Sequence, residues 1–331
     1  MTPDQKKTNI GAIPKDWDVK TLGEIASIDS ENLSNSTPGD FTFNYISLED
    51  VENGILKSHS EQKFSKAPSR ARRVLKNKDI LLSTVRPNLQ SHLLFEEKKG
   101  NWVCSTGFST IRCTENAIFP EYIFHHLFHS QITRQISNLL SGSNYPAINS
   151  RDVKSLSIPI PKYEEQRSIA TSLSDIDALL ESLNSLIAKK RAIKQATMQQ
   201  LLSGKTRLAG HTHPWKSVKL GDITHIKTGS RNNEDKCSGG AYPFFVRSEF
   251  VERIDTYSHD CEAILVPGEG RIGDVYHYVN GKFDVHQRVY AITQFSADAH
   301  AKYVYLYMKN RFGSWALKNT VKATVDSLRL P

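Results

Sequence analysis

Glu164-Glu-Gln-Arg-Ser-Ile169-Ala-Thr-Ser-Leu173-Ser-Asp-Ile176-Asp-Ala-Leu-Leu180-Glu-Ser-Leu183-Asn-Ser-Leu-Ile187 is the stretch on which the fold turns. Its apolar positions Ile169, Leu173, Ile176, Leu180, Leu183 and Ile187 alternate spacings of four and three, which is a heptad seam. Pro161 precedes it, and Glu164 and Glu165 fall in the first turn, where negative charge meets the positive end of the helix dipole. Gly204, followed by Lys205 and Arg207, suits a helix C-terminus. The spacing therefore predicts one helix from about residue 164 to about residue 203, a rod roughly 60 Å long. A rod of that length cannot cover its own apolar edge and needs a partner helix.

The 331 residues are 38% hydrophobic and 24% charged, ordinary globular composition with room for two domains. No apolar run approaches a membrane span, and residues 1–14 lack the apolar core of a secretory signal, so a cytoplasmic location is expected. Cys104, Cys113, Cys237 and Cys261 are scattered without a CxxC pair. They read as reduced, mostly buried thiols, neither a disulfide framework nor a zinc site.

The net charge is +8, and its location matters more than its size. Between Ser182 and Gly221 no acid occurs, while Lys189, Lys190, Arg191, Lys194, Lys205, Arg207, Lys216 and Lys219 do. A second acid-free window between Glu61 and Asp79 holds Lys63, Lys66, Arg70, Arg72, Arg73, Lys76 and Lys78. Two such windows in a chain with a long connecting rod point toward a polyanion such as nucleic acid.

An internal repeat accompanies the rod. Trp17-Asp-Val-Lys-Thr-Leu-Gly-Glu-Ile25 returns as Trp215-Lys-Ser-Val-Lys-Leu-Gly-Asp-Ile223. Residues 79–86 correspond to 262–271, each a buried-looking strand entering a turn that carries an arginine, and residues 120–127 correspond to 301–308, each a helix start. Short β-rich runs at 41–48, 80–85, 242–246, 263–266 and 289–292, with one helix late in each copy, predict a mixed α/β module used twice.

Taken together, these residues resemble the specificity subunits of type I restriction-modification systems. The carriers are Ile13-Pro-Lys-Asp-Trp17 with Leu22-Gly23, Ile158-Pro-Ile-Pro-Lys-Tyr-Glu-Glu-Gln166, Gln200-Leu-Leu-Ser-Gly-Lys205 and Thr324-Val-Asp-Ser-Leu-Arg-Leu-Pro331. Residues 83–88 with 105–108, and 268–273 with 286–288, look like variants of that family's recognition modules. The resemblance implies a mixed α+β chain of two similar target recognition domains, residues 1–161 and 208–331, joined by a coiled-coil-forming helix at 162–207. It further implies two half-sites in double-stranded DNA, two docked methyltransferase subunits that methylate adenine, and restriction/translocase subunits. S-adenosylmethionine, ATP and magnesium belong to those partners, and the specificity chain has no catalytic centre. The resemblance leads one to expect a second long helix after the second recognition domain, which this sequence does not carry; a natural truncation or frameshift, a shortened chain, or a rod that pairs with the same rod of a second copy are the explanations, and the open seam favours the last.

Catalytic alternatives find little in the residues. A methyltransferase would need a glycine-rich cofactor loop and an Asp/Asn-Pro-Pro-aromatic motif, and neither occurs. Ser203-Gly-Lys-Thr206 lacks the first P-loop glycine, Gln199 standing in its place, and it closes a helix instead of opening one. Asp79 with Glu97-Lys-Lys99 is the weak trace of a metal nuclease, and His125 with His129 lacks the glutamate of HExxH. A stand-alone DNA-modifying or DNA-cleaving enzyme and a protein-only coiled-coil scaffold are the rival readings.

Phosphate contacts draw on Lys, Arg and small polar residues, and base-edge contacts on Arg, Asn and Gln. On that basis the DNA-binding candidates are Arg70, Arg72, Arg73, Ser83, Thr84, Arg86, Asn88 and Gln90 in the first module. In the second they are Arg247, Ser248, Arg271, His286, Gln287 and Arg288. No metal ligand is assigned.

Overall fold

The computed structural model describes residues 4–96, 99–140 and 146–319. The chain divides into two compact units, residues 1–184 and 185–331.

In the first unit the run Ile80-Leu-Leu-Ser83 is a strand buried at every position, as expected of a short apolar run covered on both faces. Because side chains alternate across a strand, it feeds two cores. Ile80 and Leu82 enter one, with Leu22, Ile111 and Ile123. Leu81 enters the other, with Ile46, Phe95, Trp102 and Phe108. The strand sits in a four-stranded sheet ordered Leu93–Leu94, Ile80–Ser83, Phe108–Cys113, Ala26–Ile28. A second sheet runs Ser60–Lys63, Thr42–Ile46, Trp102–Ser105, Ala71–Val74, with Trp102–Ser105 parallel to Thr42–Ile46. Helices Pro120–His126, Ser130–Leu139 and Ser150–Ser155 cover the first core, three where the sequence predicts one. The last starts at a capping box, Asn149 accepting from the amides of Arg151 and Asp152 while Asp152 accepts from that of Asn149.

The long helix runs Tyr163–Leu201, 39 residues. Gln166, buried at 1% exposure, fastens its first turn by accepting from the Phe119 amide at 2.9 Å and donating to the Pro161 carbonyl at 3.0 Å. Ala170 is buried and Ile169 packs on the first core. Past that anchor the seam lies open, with Leu173 41%, Ile176 54%, Leu180 54%, Leu183 45% and Ile187 47% exposed. Ile169, read from sequence as a seam position, is thus a docking residue of the first unit. The helix stops where Gly204, at φ +71°, takes a left-handed conformation that a Cβ would strain, its amide donating to the Leu201 carbonyl.

The second unit carries a six-stranded sheet ordered His225–Thr228, Val289–Thr293, His259–Pro267, His277–Val285, Tyr242–Phe245, Glu252–Ile254. Helix Ala301–Asn319 lays Val304 and Met308 on Ile264, Val266 and Ile292. Its strand pairing repeats that of the first unit. Ile111 pairs with Ile80 on one side and Ile28 on the other, and Ile292 pairs with Ile264 and Ile226. The parallel contact recurs too, Tyr45 with Val103 and Phe245 with Val285.

The thiols depart from expectation. Cys104 is buried, Cys113 and Cys261 are intermediate, and Cys237 is exposed. His125 and His129 do not share one helix: His125 ends the Pro120–His126 segment, and His129 caps the helix that follows. The family-like segment 324–331, Glu97 with Lys98, and residues 141–145 lie outside the described residues.

Candidate nucleic-acid interface

In both units the strand that ends in an arginine-bearing turn meets a neighbouring turn at one place in the register. Thr84 donates from its amide and its Oγ1 to the Gly107 carbonyl, both at 2.8 Å. The Gly268 amide donates to the Arg288 carbonyl at 2.9 Å. Since Ser83 faces Phe108 and Pro267 faces Val289, Thr84 corresponds to Gly268 and Gly107 to Arg288.

The first rim brings together Arg70, whose carbonyl accepts from the Thr106 amide, and the turn from Thr84 to Gln90. Arg86 and Gln90 both hold φ near +50°, a left-handed conformation costing about 1 to 3 kcal/mol each that the surrounding contacts must offset. The Arg86 amide donates to Pro146 and the Ile148 amide to Thr84. Arg70, Arg86 and Asn88 are exposed, and Gln90 is half-buried.

Several candidates prove to be structural. Ser83 is 1% exposed, with its Oγ buried and no partner for it among the described residues. Its amide donates to Nδ1 of buried His92, whose pKa burial pushes down to about 4. Thr84 is 8% exposed and bound to Gly107. Arg73 pairs with Asp29 at 3.1 Å, and Arg72 lies over the Phe64 ring at 4.8 Å. Elsewhere in the same basic window, Lys76 pairs with Glu31, and Lys78 with Glu96 and Glu121. Ser83 and Thr84 are buried, Arg73 is largely buried in its pair with Asp29, and Arg72 lies half-buried over Phe64, so the structure places these four side chains as supports of the rim. Asp79, the acid of the nuclease reading, is likewise held, accepting from Arg112 Nε at 2.8 Å and Nη2 at 2.7 Å.

The second rim is more exposed. Arg288 and Arg247 both pair with Glu269, the latter at 3.4 Å, and Arg271 pairs with Glu249 at 2.9 Å. Gln287 donates to Asn232, and Ser248 to the Phe250 carbonyl. His286 is the exception, 6% exposed. Its Nδ1 accepts from the Arg288 amide at 3.0 Å, so it shapes the turn, and burial together with Arg247 and Arg288 lowers its pKa. Thr228, Gly268, Glu269, Gln287, Arg288 and Tyr290 line a depression of about 270 Å³. The sequence reading named the arginines and passed over Glu249 and Glu269, which orient them; acids within a basic rim carry no motif of their own.

Buried Asp284 ties Arg231, Thr256 and Ser258 together. Burial alone would push its carboxyl up, but donors on Ser258, the Val285 amide, Thr256 and Arg231 outweigh it and hold the carboxyl below the usual range.

Comparison with known proteins agrees with this geometry. The family model for the type I restriction modification DNA specificity domain matches residues 14–190 and 212–331. A putative type I restriction enzyme specificity subunit (MjaX) of Methanocaldococcus jannaschii is 26% identical over 240 residues, covering 67% of this chain and 56% of that one. The HindI specificity subunit of Haemophilus influenzae is 31% identical over 175 residues, covering 50% and 36%. The chain thus spans about half the length of these curated relatives or less. Two solved structures share the fold. The HsdS subunit from Thermoanaerobacter tengcongensis has a TM-score of 0.53 at 23% identity, covering 90% of this chain and 80% of that one. The type I restriction-modification S subunit from M. genitalium has 0.59 at 18%, covering 96% and 82%.

Proposed function

Because the chain belongs to the type I restriction modification DNA specificity family, we propose that it is the sequence-reading subunit of a type I restriction-modification enzyme. It recognises a bipartite double-stranded DNA target and performs no chemistry itself. The observation that carries this reading is the shared strand register with diverged rims. At corresponding positions Thr84 faces Gly107 in one unit and Gly268 faces Arg288 in the other. One scaffold with two different polar rims suits two different half-sites.

Methyl transfer to adenine is the work of two methyltransferase subunits that bring S-adenosylmethionine. Restriction/translocase subunits bring ATP and magnesium. The open seam favours a second copy of the chain as partner for the long helix, since a stripe of half-exposed aliphatics is unfavourable in water. Sedimentation of the purified chain tests the pairing: a dilution-stable monomer would count against it.

Footprinting of the chain assembled with its methyltransferase tests the reading. Two protected half-sites separated by an unread gap are expected. Absence of protection with an intact assembly favours a protein-only scaffold, and DNA cleavage or methylation by the pure chain alone favours a stand-alone enzyme.

A further inference from the structure

Between strands Tyr242–Phe245 and Glu252–Ile254 lies a loop, Arg247-Ser-Glu-Phe-Val251, whose only obvious sequence feature is its arginine. Phe250 is 81% exposed, the highest of any large hydrophobic side chain among the described residues, and Val251 beside it is 44% exposed. A lone exposed apolar side chain ordinarily needs no explanation. This one is distinguished by how firmly its loop is held.

Two ion pairs tie the loop to the 269–271 turn, Arg247 to Glu269 at 3.4 Å and Glu249 to Arg271 at 2.9 Å. Ser248 closes it from within, its Oγ donating to the Phe250 carbonyl at 2.9 Å. His277 Nε2 fastens it to the sheet, 2.9 Å from the Ser248 carbonyl. Glu269 also pairs with Arg288, so the ring is carried on a framework that includes three arginines. The ordering of a flexible loop, a usual cost of binding, is largely met before any ligand arrives.

A solvent-facing phenyl ring on a loop whose ion pairs involve Arg247, Arg271 and, through Glu269, Arg288 is complementary to a base step flanked by phosphates. The arginines answer the backbone charge, and the ring offers an apolar face to stack on or slip between bases. We propose that Phe250 is an apolar wedge against DNA, engaging one base step in the half-site of the second unit, with Glu249 and Glu269 as positioning residues for its loop. In the first unit the segment after strand Thr42–Ile46 closes in a Ser47–Asp50 capping box and buries Val51 at 3% exposure, so this loop has no counterpart of the Phe250 wedge there. This rests on the DNA-reading function proposed above.

The test uses the full chain assembled with its methyltransferase, and duplexes selected from a random library by that wild-type assembly. 2-Aminopurine is placed in turn at each adenine of either strand, and its fluorescence reports unstacking. Besides the adenines that the methyltransferases themselves extrude, wild type should raise fluorescence at one further step, in one half-site only. Phe250→Ala should abolish that rise and weaken binding by about five- to a hundredfold, as loss of one base–aromatic contact does. Phe250→Trp should keep both, and Glu249→Gln with Glu269→Gln should reduce the rise while leaving thermal unfolding near wild type. An unchanged fluorescence pattern and affinity in Phe250→Ala overturns the wedge. So does a Phe250→Ala chain that loses the methyltransferase yet distorts DNA normally, which makes the ring a protein contact. A wild-type assembly that selects no duplex overturns the DNA-reading function itself.

Discussion

Arg70 and Arg73 stand in one basic window, and their surroundings differ: Arg70 is exposed, Arg73 largely buried. Arg73 is paired with Asp29 at 3.1 Å, both side chains largely out of water, and Asp29 also accepts from the Thr110 amide. Removing the guanidinium takes away the carboxylate's charge partner but leaves its hydrogen bonds from Ser109, Thr110 and Ser150, so Arg73→Ala should cost about 1 to 3 kcal/mol of stability. Denaturant unfolding would read this, and the preferred DNA sequence should not change. Arg86 is exposed on a left-handed turn. Arg86→Ala should weaken cognate binding by about 1 to 3 kcal/mol and relax one position of the first half-site; equal weakening on every sequence would make it a phosphate contact. His92 adds a pH dependence. It is buried and neutral in the folded chain, with a pKa near 4 against 6.5 unfolded. The unfolded chain therefore binds the extra proton between those values. The contribution is complete above pH 6.5 and falls away as pH drops toward 4, by about 3 kcal/mol at the limit. His92→Asn, which keeps an acceptor for the Ser83 amide, should lessen the slope of the first unit's stability over that window, the remainder coming in part from His126, whose pKa burial also lowers to about 4.

At the scale of elements, the long helix separates its charges along its length. Glu164, Glu165, Asp175, Asp177 and Glu181 lie in its first half, and Lys189, Lys190, Arg191 and Lys194 in its second. An antiparallel partner of the same sequence sets acid against base, and a parallel one sets like against like. Reversing Lys189, Lys190 and Arg191 to glutamate should therefore loosen self-association, and joint reversal of Asp175, Asp177 and Glu181 to lysine should restore it, as sedimentation would show. The helix was legible in the sequence because its period, its acidic start and the glycine at 204 agree. Strands were legible where apolar runs were unbroken, as at 80–83 and 263–266. Strand Trp102–Ser105 was missed because it is short, ends in cysteine and serine, and owes its burial to parallel pairing with distant Thr42–Ile46. Residue type gave the candidate rim its arginines but could not separate Arg70 from Arg73. That difference comes from Asp29, far away in the chain, and only the folded register brings the two together.

At the scale of the molecule, the duplicated register suits the proposed reading of two half-sites by one chain. Ile28, Ile80 and Ile111 rebuild as Ile226, Ile264 and Ile292, a common frame that leaves the turns free to diverge. In chain order a helix of 39 residues follows the first set of strands and precedes the second. Exchanging residues 242–290 for those of a relative should accordingly change one half of the target and leave the other half and the gap untouched. Methylome sequencing of cells that carry this chain with its cognate methyltransferase is the most direct measurement. It should return a split adenine-methylated motif whose two halves respond separately to changes in the two rims. A single uninterrupted motif, or a methylation pattern indifferent to the chain, would contradict the account.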